Sequence, residues 1–317
     1  MDWRDEISAA ARRISPHIRH TPVEPAHDLG PRVWFKCENL QVTGSFKVRG
    51  GTNALLKMSM SQRKGGVVTA SSGNHGLGLA RAANQLGIPA TVYVPNHADD
   101  SKVRTIQNLG VNVERVGDDC VETEAYARIM ATGKGQTYVS PYNDADIIAG
   151  QGTIGLELID QIQGLDAVFV AMGGGGLISG VGSYLKAINP SIEVVGCSPA
   201  ASPAMHACLE AGQILDVPCR DTLSDATAGG VEAGAITFDV CRDVVDRSLL
   251  VGEADIASAI RDVVGTHHML IEGAAGVAVA GFRQVADAYA NKNSAIILCG
   301  ANIGLPTLRR VLQGGSR

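Results

Sequence analysis

The sequence predicts an α/β protein built on two open, twisted, mostly parallel sheets, and three observations carry that prediction. Short β-branched runs alternate with stretches of helical spacing along most of the 317 residues. The alternation halts near residue 144 and then resumes, so the chain holds two such sets. The 38 glycines gather where strands give way to helices, the end at which open parallel sheets bind ligands.

Taken in order, Ser45 reads as an N-cap and "FKVRGGTNALLKM" as the helix behind it. "GGVVTA" is a strand, and "GLGLARAANQLG" a helix closed by Gly87. "IPATVYVP", "VNVERVG" and "QTYVS" are further strands, separated by the helices "DSKVRTIQNLG" and "CVETEAYARIMATG". The set stops at "SPYNDADIIAG", whose Pro, Asn and Asp read as a turn. The second set runs through the helix "QGTIGLELIDQIQG", the buried strand "DAVFVAM" and the helix "LISGVGSYLKAI". It continues with the strand "IEVVGCS" and the helix "SPAMHACLEAG". Two more helices, "ADIASAIRDVVGTHHML" and "GAAGVAVAGFRQVADAYA", precede the last strand, "SAIILCG". This places a small domain, residues 59–143, inside a large one made of residues 1–58 and 144–317.

Composition removes several classes of function. At 45% hydrophobic and 19% charged the chain is long enough and apolar enough for a sizeable core. A formal charge of -5 without a basic patch argues against nucleic acid. No apolar run approaches the ~20 residues of a membrane span. "MDWRDEISAAARRISPHI" lacks the apolar core of a signal peptide. The 7 cysteines are scattered with no C-x-x-C, so neither zinc nor disulfides are expected, and a reducing cytoplasm is.

Four loops carry candidate chemistry. In "MGGGGLISG", Met172 to Gly180, glycines let the backbone close on an anion at a helix start. No acid follows the next strand to hold a ribose, and no G-x-x-x-x-G-K-[ST] occurs, so a phosphate without nucleoside fits best. A carboxylate introduced at Gly175 is expected to face that phosphate. "TASSGNHG", Thr69 to Gly76, offers Ser71, Ser72, Asn74 and backbone N–H groups to a carboxylate or a ring oxygen. In "LCGANIG", Cys299 falls at the ligand-facing end of the last strand. Lys47 sits on the first turn of a helix, where the dipole disfavours a cation, and Phe46 can shelter its amine. A neutral lysine reacts with carbonyls. A reactive lysine beside a nucleoside-free phosphate cradle points to pyridoxal 5'-phosphate.

"GSFKVRG", "SSGNHG", "GGGGL" and "LCGAN" appear in the order and approximate spacing of the serine/threonine dehydratase and serine racemase family, and the resemblance covers nearly the whole chain. It implies a fold type II, tryptophan-synthase β-like pyridoxal-phosphate enzyme with its cofactor in the cleft between the two domains. By that resemblance Lys47 carries the cofactor covalently and Phe46 packs on its ring. Asn74 bonds the ring hydroxyl, and Gly173, Gly174, Gly175, Gly176 and Leu177 hold the phosphate. Cys299, where serine is common, faces the pyridine nitrogen. Ser71, Ser72, Gly73, Asn74 and His75 receive the substrate.

The expected reaction is dehydration and deamination of a β-hydroxy amino acid such as L-threonine or L-serine, giving a 2-oxo acid and ammonia. Three alternatives are serine racemisation, aryl-serine dehydration and a non-catalytic binding protein on this fold. Racemisation needs a second acid/base opposite Lys47. Ser72 resembles the racemases there, whereas strict threonine dehydratases usually carry alanine. The divalent-metal site of animal-type racemases is not expected, because "SPAASPA", Ser198 to Ala204, has no carboxylate. The chain ends soon after "LCGANIG", so regulation by a further C-terminal domain is not expected. A homodimer or higher homo-oligomer is.

Overall fold

The computed structural model describes residues 1–314 and sorts the strands into two sheets. One contains β1 (Val23–Pro25), β2 (Val33–Lys36), β7 (Ala167–Ala171), β8 (Glu193–Pro199), β9 (Arg247–Val251) and β10 (Ser294–Ile297), in the order β1-β2-β10-β7-β8-β9. Only β1 runs antiparallel to its neighbour. The other contains β3 (Val67–Ala70), β4 (Ala90–Val94), β5 (Asn112–Arg115) and β6 (Thr137–Tyr138), in the order β5-β4-β3-β6, all parallel. The all-apolar run of β7 is buried at every position, as a central parallel strand covered on both faces must be.

Strand order fixes where a ligand can bind. In the first sheet the chain steps outward through β7, β8 and β9, and β10 then returns on the other side of β7. In the second it steps through β3, β4 and β5, and β6 returns beside β3. The loops after β7 and β10, and those after β3 and β6, therefore diverge at switch points, where open α/β sheets form crevices.

The helix Lys47–Lys57 runs between the two sheets' helices. It packs on Asn74–Leu86 on one side and on Ala145–Gln161 on the other. The second crossing is backbone against backbone: a Cβ at Gly150 would lie 2.5 Å from Gly50 Cα, so any side chain there would push the helices apart.

Two expectations change. Ser45 does not cap this helix. The N-cap is Phe46, in helical conformation, because Ser45 is drawn into a bridge with Gly300. The turn at "SPYNDADIIAG" is shorter than its composition suggests. Asp144 accepts hydrogen bonds from Asp146 N at 2.7 Å and Ile147 N at 3.1 Å, and the helix begins at Ala145. Several elements had no clear sequence signal: the helices Trp3–Ile14, Met60–Gly65, Ile236–Val244 and Leu305–Leu312, and the strands β1, β2 and β9.

Candidate active site

Lys47 is the first residue of its helix, and its amine points inward. Nζ donates to the carbonyl oxygen of Pro141 at 2.7 Å and lies 5.3 Å from the centre of the Phe46 ring. Burial pushes the amine down to about 8, against opposition from Cys299 and Glu272. Roughly a tenth of the amine is then neutral at pH 7, far more than for an ordinary lysine.

The backbone around Lys47 is pinned from below. Phe46 N donates to Cys299 O at 3.1 Å, tying the lysine to the loop after β10. Two residues on, the buried Arg49 guanidinium makes paired hydrogen bonds to Glu38 (2.8 and 2.8 Å) and to Glu157 (2.7 and 3.0 Å). Lys36 closes the cluster on Glu157, so two cations balance two carboxylates. A buried set of this kind adds little net stability, but its fixed forks define one geometry for the turn that carries Lys47.

The tetraglycine loop leaves β7 and enters the helix Gly176–Ile188, with Gly175 left-handed at φ +88°. Among the described residues, none of the N–H groups from Gly173 to Ile178 finds an acceptor within the protein; the first bond is Ser179 N to Gly175 O. Six such donors at a helix start suit a phosphate. The surroundings admit no side chains: a Cβ at Gly174 would lie 2.7 Å from the Tyr142 ring, and one at Gly173 2.8 Å from the Thr227 backbone. A Cβ at Gly175 would lie 2.8 Å from Cys241 Sγ, in packed interior. A carboxylate there would therefore face the core and not the cradle, contrary to the sequence expectation.

The loop after β3 leads to Asn74 and His75, both buried, while Ser71, Ser72 and Gly73 are half-buried at the start of the helix Asn74–Leu86. Neither serine caps that helix; Ser71 Oγ accepts instead from Gly73 N at 3.2 Å. His75 donates from Nε2 to Val139 O at 3.2 Å, since burial and the nearby Lys47 push its ring down to about 3 and keep it neutral. That bond faces the small sheet, which gives His75 a structural task beside any contact with substrate.

Asn74 exposes the residue that sequence reasoning missed. Its Nδ2 donates to both oxygens of Glu272, at 2.7 and 3.0 Å, and its Oδ1 accepts from Asn302 Nδ2 at 2.7 Å. Asn302 N also donates to Glu272, at 3.0 Å. Burial pushes the Glu272 carboxyl up to about 7, while the bond from Asn74 pulls the other way. A lone acid in the apolar run "MLIEGAAGVAVAG" was the available signal. Cys299, 2% exposed, has its thiol pushed well above the ordinary value by burial, with Glu272 adding to the effect. It remains a neutral thiol beside Lys47.

An open-sheet crevice with unpaired N–H groups, a desolvated lysine and a neutral thiol fits pyridoxal phosphate, and residues 14–300 match the family described as pyridoxal-phosphate dependent enzyme. The chain belongs to that family. It is 36% identical over 318 residues to the L-threonine ammonia-lyase of Geobacter sulfurreducens, covering 98% of this chain and 78% of that one. It is 38% identical over 311 residues to the serine racemase of Arabidopsis thaliana, covering 95% and 93%. The processed form of threonine deaminase isoform 2 from Solanum lycopersicum superposes with a TM-score of 0.94 at 31% identity, covering 98% and 87%. Among the described residues no helix is long and apolar enough to cross a membrane.

Proposed function

We propose that this chain is a pyridoxal-phosphate-dependent ammonia-lyase that converts a β-hydroxy amino acid, such as L-threonine or L-serine, to a 2-oxo acid and ammonia. The observation that carries the reading is the buried Lys47 amine, pushed down to about 8, which meets the carbonyl of Pro141 next to Tyr142, the residue whose ring walls the glycine cradle. Pyridoxal phosphate, when bound, supplies a carbonyl for an amine and a conjugated ring that takes up electrons from Cα.

The protein's own groups supply the rest. Lys47 would anchor the cofactor, and its free amine would be the base for the proton on Cα. Phe46 packs beside the ring. The N–H groups from Gly173 to Leu177 hold the phosphate. The Asn74 amide nitrogen, which donates to both Glu272 oxygens, is the donor a ring oxygen would recruit. Ser71, Ser72 and the N–H groups at the start of the helix Asn74–Leu86 receive the substrate carboxylate, with Gly73 leaving room and His75 bracing the loop. Cys299 would offer the ring nitrogen a neutral thiol and not a carboxylate, a partner that does not favour its protonation.

One observation favours serine racemisation as a second reading. Ser72 is half-buried and unused as a helix cap, which leaves its hydroxyl free for the opposite acid/base role. We further take residues 59–143 as a small domain closing on the large one, and the protein as a cytoplasmic homodimer or higher oligomer; the scattered free cysteines support that compartment.

The test is a panel of β-hydroxy amino acids in both configurations, aryl-serines included, assayed for 2-oxo acid and for inversion. L-threonine or L-serine should give mainly 2-oxo acid. Inversion of serine faster than pyruvate formation would move the assignment to racemase, and no turnover of any member would remove it.

A further inference from the structure

Pro141 and Tyr142 touch the two halves of the site, and Glu232, outside it, bonds Tyr142 through its backbone N–H and Asn143 through its carboxylate. Pro141 O receives the Lys47 amine. The Tyr142 ring stands against Gly174, and its backbone against Gly176. The cradle has no side chains of its own, so its shape depends on such walls. Tyr142 Oη accepts a hydrogen bond from Glu232 N at 3.0 Å, and Asn143 Nδ2 donates to the Glu232 carboxylate. The other end of Asn143 accepts from Ile236 N at 2.9 Å. The carboxylate's second oxygen takes the Arg128 guanidinium at 2.8 Å, and that guanidinium also stacks on the Tyr138 ring at 4.3 Å.

We propose that Glu232 is a positioning residue: it clamps the loop Pro141–Asn143 to the helix Cys120–Lys134, and thereby sets both the carbonyl that receives Lys47 and the wall that closes the glycine cradle. The inference rests on the site reading given above. The segment around Glu232 needs such a clamp. Gly229 at φ +114°, Gly230 and Gly234 at φ +72° leave it little conformational preference of its own. A second tie, Lys102 to Asp225 at 3.1 Å, joins the same segment to the neighbouring helix Asp100–Gln107. Arg128 and Glu232 side chains are 43% and 28% exposed, so salt reaches the pair and should weaken the clamp.

The experiment uses the cofactor-loaded enzyme. Glu232→Ala, Glu232→Gln and Arg128→Gln are compared with wild type for the rate of cofactor loss on dialysis, for kcat and KM separately, and for melting midpoint, each at low and high salt. Glu232→Ala should lose cofactor about tenfold faster or more, the scale of a broken hydrogen bond to a charged group. Its kcat should fall further than its KM rises. Glu232→Gln keeps an acceptor for Asn143 and loses only the ion pair, so it should change by about threefold. Arg128→Gln should match it. In both, the salt dependence seen in wild type should vanish. A role in stability alone would lower the melting midpoint without this salt signature. The proposal is overturned if Glu232→Ala folds as wild type and releases cofactor at the wild-type rate. Should that variant not fold, Arg128→Gln decides, and unchanged loss with unchanged salt dependence overturns it equally. A wild-type protein that binds no cofactor would overturn the underlying site reading as well.

Discussion

Replacing Glu272 by glutamine should remove a pH dependence of stability that the wild-type protein carries across the mildly acid range. Burial pushes this carboxyl up to about 7 from the ordinary 4.5. In the unfolded chain it ionises near the ordinary value, while the folded protein keeps the proton until about pH 7. Between those values folding takes up a proton, so stability falls as pH rises and levels off above the folded value. At about 1.4 kcal/mol per pH unit, going from about pH 5.5 to about pH 8.5 should cost the wild type about 2 kcal/mol. Glutamine cannot ionise and escapes that loss. The assay is thermal unfolding of both proteins across this range. The wild-type melting midpoint, measured relative to the variant, should drop by about 4 °C from the acid to the alkaline end. A difference between the two proteins that stays constant with pH would refute the reasoning, because it would mean that Glu272 keeps its ordinary value or ionises alike in both states.

Three further outcomes are expected. In cofactor-free protein, amine-directed labelling of Lys47 should rise with a midpoint near pH 8, well below that of exposed lysines; a midpoint near 10.5 would contradict its desolvation. Ser72→Ala should leave dehydration of the L-substrate within about tenfold of wild type, since one neutral hydrogen bond is worth about 0.5–1.5 kcal/mol. Any racemisation should fall by about a hundredfold or more, and persistence of inversion would take Ser72 out of the acid/base role. Gly175→Ala should lower the melting midpoint by several degrees, as a left-handed residue and a contact 2.8 Å from Cys241 Sγ add strain of about 2 kcal/mol, and an unchanged midpoint would show that the loop relaxes freely.

Much of the molecule was legible because its signals are local. Alternating runs such as "GGVVTA" and "IPATVYVP" became β3 and β4, and Gly87 closes its helix at φ +64° as a terminal glycine should. Three of the four motif loops follow β3, β7 and β10 directly, and the fourth is tied to the loop after β10 where Phe46 N donates to Cys299 O. What escaped was set by contacts between distant parts of the chain. Ser45 has the chemistry of an N-cap, but pairing with Gly300 takes its backbone elsewhere. Glu272 and Asn74 are 198 positions apart, and no spacing rule connects them. Nothing local in the sequence marks Lys36, Arg49, Glu38 and Glu157, and only the packed elements reveal them as a buried, balanced set. The glycine run marks Gly175 as part of a loop, but the direction of its absent side chain depends on where Cys241 and Met205 pack. β1, with 3 residues, is too short for periodicity to mark.

The central claim is that Lys47, lodged between the glycine cradle and Cys299, holds pyridoxal phosphate covalently and does the proton chemistry. The most direct measurement is the absorption spectrum of the purified wild type and of Lys47→Ala, before and after borohydride, followed by peptide mapping. The wild type should be yellow, borohydride should bleach it, and the reduced cofactor should be found on Lys47. Lys47→Ala should fold, lack the covalent adduct and make no 2-oxo acid. A cofactor mass on another lysine, or substantial 2-oxo acid from Lys47→Ala, would contradict the account.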